Sequence, residues 1–201
     1  MSALPSVTWN VNPIIASPGG FTVRWFTLLW LTELGLGYWA LARQIRRGGG
    51  DEEEAADLAV YVWLGLVCGA RLGEGLFYNL PKTLANPGWL MDVAHYGGLS
   101  GHGAAVGILV AVQLFARRRA MSALEITDRL SYSAAISATL HRIVNLFNSE
   151  LVGIPTAGDW GIRFPRFDGE PDGPLRHPFQ LYEAALGMCV LVALYICDRR
   201  W

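Results

Sequence analysis

At 201 residues, 52% hydrophobic and only 16% charged, the chain falls well short of the roughly one-quarter charged composition of soluble domains. Its 16 basic and 17 acidic residues leave a formal net charge of −1, which offers no footing for a nucleic-acid partner. The charges sit in short runs between apolar stretches, the pattern of an all-α polytopic integral membrane protein, and the length suits a single membrane-embedded domain over residues 1–201.

The N-terminal MSALPSVTWNVNP lacks a basic stretch followed by an apolar core, so no cleavable signal peptide is expected. Five apolar segments follow, at about residues 21–41, 56–80, 93–116, 126–147 and 179–197, each near the ~20 residues that cross a hydrocarbon core. Helices are expected because lipid offers no partner to unpaired backbone groups. RQIRR follows the first segment, ARRR the third and DRR the fifth. An arginine excess marks cytoplasmic ends, so the N-terminus is expected outside and the C-terminus in the cytoplasm. The acidic run DEEE beside RQIRR reads as a solvated turn. The Gly- and Pro-rich stretch at about 149–178 reads as a short irregular outer loop or cap.

Polar groups inside the apolar segments are the functional signal, since a charge at membrane depth costs roughly 2.5–3.5 kcal/mol. Arg24 and Glu33 fall in the first segment. Arg71 and Glu74, three apart in the second, are expected to form a self-satisfied ion pair. The third carries GGLSGHGAAVG, whose glycines favour close helix packing. Its His102 is either a proton acceptor or a hydrogen-bonded structural group. In HRIVNLFNSE, Arg142 and Asn145 share a helical face, and Asn145, Asn148 and Glu150 can satisfy the arginine internally. A lipid phosphate can do the same, because a guanidinium binds phosphate in a bidentate manner. Arg176 opens RHPFQLYE, with Pro178 suited to a helix start and Gln180, Tyr182 and Glu183 in the first turns. Two arginines near one leaflet could clamp a phosphodiester head group. The cysteines (Cys68, Cys189, Cys197) show no CxxC spacing and are expected as buried apolar thiols; the histidines show no metal-ligand spacing.

The blocks GARLGEGLFYNL, HYGGLSGHGAAVG, HRIVNLFNSELVGIPT, WGIRFP and RHPFQLYEA, in this order, resemble the bacterial prolipoprotein diacylglyceryl transferases. The resemblance covers roughly Phe21 to Leu194. It implies transfer of the diacylglyceryl group of phosphatidylglycerol to the lipobox cysteine of a prolipoprotein in the bacterial cytoplasmic (inner) membrane. It implies His102, Arg142 and Arg176 as catalytic residues, and Asn145, Glu150, Gly153, Gln180, Tyr182 and Glu183 as substrate-binding residues, with no metal and no cofactor. The partners implied are phosphatidylglycerol or a related phospholipid and the signal peptide of the prolipoprotein. The chain departs from the family pattern at Phe26, where a tyrosine is usual, and at Ala104, His141, Val144 and Ser149, where glycine is usual. An alternative reading is therefore a non-catalytic, transferase-like lipid-binding subunit of a larger membrane complex with other membrane subunits.

Overall fold

The computed structural model describes residues 6–92 and 98–198. In chain order, the strands β1 (Ser6–Thr8), β2 (Ile14–Ala16) and β3 (Val23–Arg24) precede helix α1 (Trp25–Arg47). Helix α2 (Glu52–Gly73) runs on through a π-helical turn, Glu74–Tyr78, to the short α3 (Leu80–Ala85). Helices α4 (Gly101–Arg119) and α5 (Ala123–Asn148), strand β4 (Gly161–Arg163), the single turn α6 (Pro165–Asp168) and helix α7 (Phe179–Asp198) complete the chain.

The long helices α1, α2, α4, α5 and α7 fall on the five expected segments, with shifted ends. Val23 and Arg24 pair antiparallel with β2, so α1 starts at Trp25 rather than near residue 21, and it continues through Arg47. The third segment becomes helical only at Gly101, where the Ser100 hydroxyl accepts from the Gly103 N–H at 3.1 Å and caps the helix. Residues 93–97, at the start of that expected segment, lie outside the described residues, as do the arginines of DRR. By length and composition, Glu52–Tyr78 and Phe179–Asp198 are able to cross a membrane. Helix α5 carries Glu125, Asp128, Arg129, His141 and Arg142, and this charge dilutes its apolar character.

The backbone groups into two compact units, residues 41–130 and residues 1–40 with 131–201. In the first, α2 and α4 pack antiparallel along a glycine seam. A Cβ on Gly107 would overlap the Gly65 carbonyl, and one on Gly103 would overlap that of Gly69. Only glycines allow the two backbones to approach this closely. One end of the seam is closed by an apolar cluster including Ile45, Leu58, Phe115 and Ile126. Around it Asp51 caps α2, Arg129 bridges Glu54 (3.0 Å) and Glu125 (2.6 Å), and Arg119 pairs with Asp57. The Arg118 guanidinium donates to the Tyr61 hydroxyl at 2.9 Å, and this bond raises its pKa further.

At the opposite end the expected Arg71–Glu74 pair is not formed. Arg71 is buried and donates to the carbonyls of Leu90 (2.8 Å), Gly98 (3.0 Å), Trp89 (3.2 Å) and Asp92 (3.3 Å), with its guanidinium over the Trp89 ring. Glu74 accepts instead from the Asn79 amide at 2.9 Å. Backbone carbonyls drawn away from water need donors, and one arginine supplies several at once.

In the second unit the segment of residues 149–178, expected as an irregular outer loop, carries regular pairing. Strand β4 pairs in parallel with β1, Ser6 opposite Gly161 and Thr8 opposite Arg163. Ile162 and Arg176 exchange backbone bonds of 3.0 and 2.9 Å. This pairing with the N-terminal residues is long-range, so no local signal in the loop announces it. Helix α7 meets α5 where Gly187 faces Thr139, while most of its apolar length is left uncovered. Leu186, Val190, Val192 and Ile196 are exposed. All three cysteines are also exposed, against the expectation of buried thiols. In a hydrocarbon medium no hydrophobic force sorts apolar groups inward, so a small apolar side chain is equally stable on the outer face.

Candidate active site

The C-terminal end of α5 builds a dense polar cluster. Its last carbonyls are capped from distant chain segments. The Trp9 indole donates to Leu146 O at 2.8 Å and Arg166 donates to Phe147 O at 3.2 Å, with Trp9 and Trp25 packed on the Phe147 ring. The helix then closes in a Schellman turn. Glu150 N–H bonds to Asn145 O (2.9 Å) and Ser149 N–H to Leu146 O (3.0 Å), and Ser149 adopts φ = 56°. Leu151 follows at φ = 50°. This reversal folds Glu150 back over the last turn. Its carboxylate accepts from the amides of Asn145 (3.4 Å) and Asn148 (3.1 Å).

Asn145 is buried, and its amide oxygen accepts from Arg142 Nη1 at 3.3 Å. Arg142, Asn145 and Glu150 thus form a continuous polar chain. From α7, Gln180 donates to the Glu150 carbonyl at 2.7 Å and is fully buried. Glu183, one turn further on, brings its Oε2 to 2.8 Å from Arg142 Nε. The contact is a close charge pair rather than an aligned hydrogen bond, because that oxygen has no aligned donor. Among the described residues, Ser149 Oγ and Gln180 Oε1 are likewise buried without a partner. The Arg142 and Glu183 side chains stay about 30% exposed, so the pair is reachable from outside the fold.

The structure therefore brings Arg142, Asn145, Glu150, Gln180 and Glu183 together. Arg176 stands differently. Its Nε is 3.1 Å from Asp168 Oδ1 and 3.2 Å from Oδ2, its Nη1 donates to Gly153 O at 3.3 Å, and it lies over the Phe167 ring. With 16% of its side chain exposed and 7% of Asp168's, this guanidinium ties Asp168 to Gly153 within the 149–178 segment. Gly153 is required at its position because a Cβ would overlap the His177 carbonyl. Tyr182 meets His177 through its hydroxyl at 3.2 Å, and Trp160 abuts the same ring edge-on.

His102 belongs to the unit formed by residues 41–130. It is the second residue of α4, is exposed, and its Nδ1 lies 3.3 Å from the Tyr78 hydroxyl. Sequence reasoning missed Tyr78 as its partner, Asp168 as the counter-ion of Arg176, and the His141–Glu33 contact at 3.2 Å. Each joins residues that do not share a helix, where helical spacing carries no signal.

A model of the prolipoprotein diacylglyceryl transferase family matches residues 13–201. Relatives called phosphatidylglycerol–prolipoprotein diacylglyceryl transferase include that of Tolumonas auensis, 37% identical over 95% of this chain and 72% of the relative. Those of Chloroherpeton thalassium (35% identical, 97% of this chain, 71% of the relative) and Bacteroides fragilis (33%, 96% and 73%) carry the same description. The chain belongs to the prolipoprotein diacylglyceryl transferase family of membrane proteins.

Proposed function

We propose that this chain transfers the diacylglyceryl group of phosphatidylglycerol to the lipobox cysteine thiol of a prolipoprotein. The cysteine sulfur forms a bond to the terminal glycerol carbon of the diacylglyceryl group. The carbon–oxygen bond to phosphate breaks, glycerol phosphate leaves with the bonding pair, and the thiol proton passes to a base. A thiol has a pKa near 8.5, so a neighbouring base raises the fraction of nucleophilic thiolate.

The observation that carries this reading is the half-open Arg142–Glu183 pair held over the Asn145–Glu150 scaffold. A guanidinium in that setting offers fixed donors to the phosphate monoester as its charge develops. His102 takes the thiol proton. With its Nδ1–H donating to the Tyr78 oxygen, Nε2 keeps a free lone pair. Arg176 positions Gly153 and the outer segment through Asp168 rather than touching phosphate. Tyr182 steadies His177 at the same edge.

The chain acts as one membrane-embedded domain of five crossings, formed by α1, α2, α4, α5 and α7, in the bacterial inner membrane. Its N-terminus lies outside and its C-terminus in the cytoplasm, the orientation that the arginine distribution supports. The experiment is a transfer assay with purified protein, phosphatidylglycerol and a lipobox peptide, read by mass spectrometry as a diacylglyceryl thioether. Arg142→Ala is expected to lower the rate by about 10²–10³-fold while the protein remains inserted. Full activity in that variant would sink the assignment. No product from folded, lipid-loaded wild type would favour the non-catalytic lipid-binding subunit.

A further inference from the structure

Arg142 stands among more negative charge than positive. Glu183 meets its Nε, and the Glu150 carboxylate is joined to it through Asn145. Other arginines of the same unit are engaged elsewhere. Arg176 is taken by Asp168, Arg163 donates to Gly173 O, and Arg166 donates to Val11 O and Phe147 O. A phosphodiester adds its own negative charge to these two carboxylates, and like charges at short range repel. One guanidinium is therefore a weak anchor for it, and a second cationic donor strengthens the site.

The faces of α5 show where that donor stands. Ser133 and His141 face α1, the Ser133 hydroxyl donating to Gly37 O at 2.7 Å and His141 Nδ1 lying 3.2 Å from Glu33 Oε2. Thr139 and Arg142 face α7, against Gly187 and Glu183. At 3.6 residues per turn, Ala134, Ala138 and Asn145 fall on the face between, Asn145 about 40° from His141 and about 60° from Arg142. Ala134 and Ala138 are exposed and Asn145 is buried, so this face is an opening that closes at Asn145, with His141 and Arg142 on its two flanks. Glu33 holds the imidazole in place. Its side chain is 10% exposed, and His141 is the one partner that it takes among the described residues. The His141 side chain is 47% exposed, although the same position usually carries glycine in the family. A carboxylate accepts from Nδ1–H, which leaves Nε2 to carry the second proton.

We infer that His141 is a second phosphate-binding residue of this site. With Glu33 holding Nδ1–H, the protonated ring donates Nε2–H to a phosphate oxygen that Arg142 binds from the other flank of Asn145. When the carbon–oxygen bond breaks, the phosphate gains a second negative charge, and the same donor stabilises it. The ionisable groups around the ring are Glu33 on α1, Arg142 on its own helix, Glu183 on α7 and Glu150 beyond the turn. The inference rests on the transferase reading above and adds a residue to its lipid-binding step.

The test is equilibrium binding of phosphatidylglycerol to the full chain in neutral detergent micelles, with no peptide present, so that nothing turns over. An imidazole loses its proton between about pH 5 and about pH 8, while a phosphodiester keeps its single charge, so a change in Kd over that range belongs to the protein. For wild type, Kd is expected to rise about tenfold from the acid to the alkaline end, the worth of one charge-assisted hydrogen bond. His141→Gln is expected to bind at the weaker, alkaline level at both ends. His141→Arg, whose charge does not titrate, is expected to bind at the tighter, acid level at both. A flat wild type overturns the inference, as does a pH response that survives in His141→Gln. Weak binding by both variants at both ends means that His141 only holds α1 to α5, and overturns it too. Transfer to a lipobox peptide is measured in parallel. Transfer without a pH response in binding refutes the role of His141 alone, and a response that His141→Gln removes, without transfer, refutes the enzymatic reading alone.

Discussion

Ser149 carries a cost that a single substitution removes. It occupies the left-handed position of the Schellman turn at φ = 56°, it is only 5% exposed, and its hydroxyl has no partner among the described residues. A left-handed L-residue costs about 1–2 kcal/mol. A buried hydroxyl without a partner costs about 1 kcal/mol, at the low end of measured penalties. Ser149→Gly relieves both and gives back about 0.5–1 kcal/mol through the greater freedom of the unfolded chain. The net stabilisation expected is about 1–2 kcal/mol, a rise of about 3–6 °C in Tm for a chain of this size. Ser149→Ala removes the hydroxyl but keeps the strained backbone, so it is expected to fall between wild type and Ser149→Gly. The assay is thermal unfolding of the three proteins in one detergent. An Ala variant as stable as the Gly variant, or a Gly variant below wild type, would refute the strain argument. Because the same turn folds Glu150 onto Asn145, Ser149→Gly is also expected to retain transfer activity.

Arg176→Ala leaves the Asp168 carboxylate buried and unpaired, which is expected to cost about 3 kcal/mol and to speed proteolysis of the 151–178 segment. The paired replacement Arg176→Met with Asp168→Leu is expected to recover most of that loss, and a failure to recover would mean that Arg176 has a role beyond the pairing with Asp168. Gly107→Ala forces apart the two backbones of the seam and is expected to destabilise by about 1–3 kcal/mol in thermal unfolding. Gly101→Ala, where a Cβ meets open space, serves as the neutral control.

The sequence by itself determined the five long helices, because each apolar segment is long enough for a helix that satisfies its own backbone hydrogen bonds. It also determined the local half of the candidate site. Arg142 and Asn145 stand three apart on one helix, so their contact follows from helical geometry. The glycines around His102 likewise announced close packing, although not against which helix. Tertiary structure decided the rest. Arg71 and Glu74 have the spacing of an ion pair, yet the carbonyls of a loop some twenty residues away claim the arginine. Arg142 and Arg176 look equivalent in sequence, but Asp168 occupies one guanidinium while Glu183 leaves the other half open. Strand β4 forms by pairing with the N-terminal β1 on one side and with Arg176 on the other. Spacing encodes neighbours along one helix, whereas a charge at depth takes whichever partner the folded chain brings nearest, and that choice is made between segments far apart in sequence.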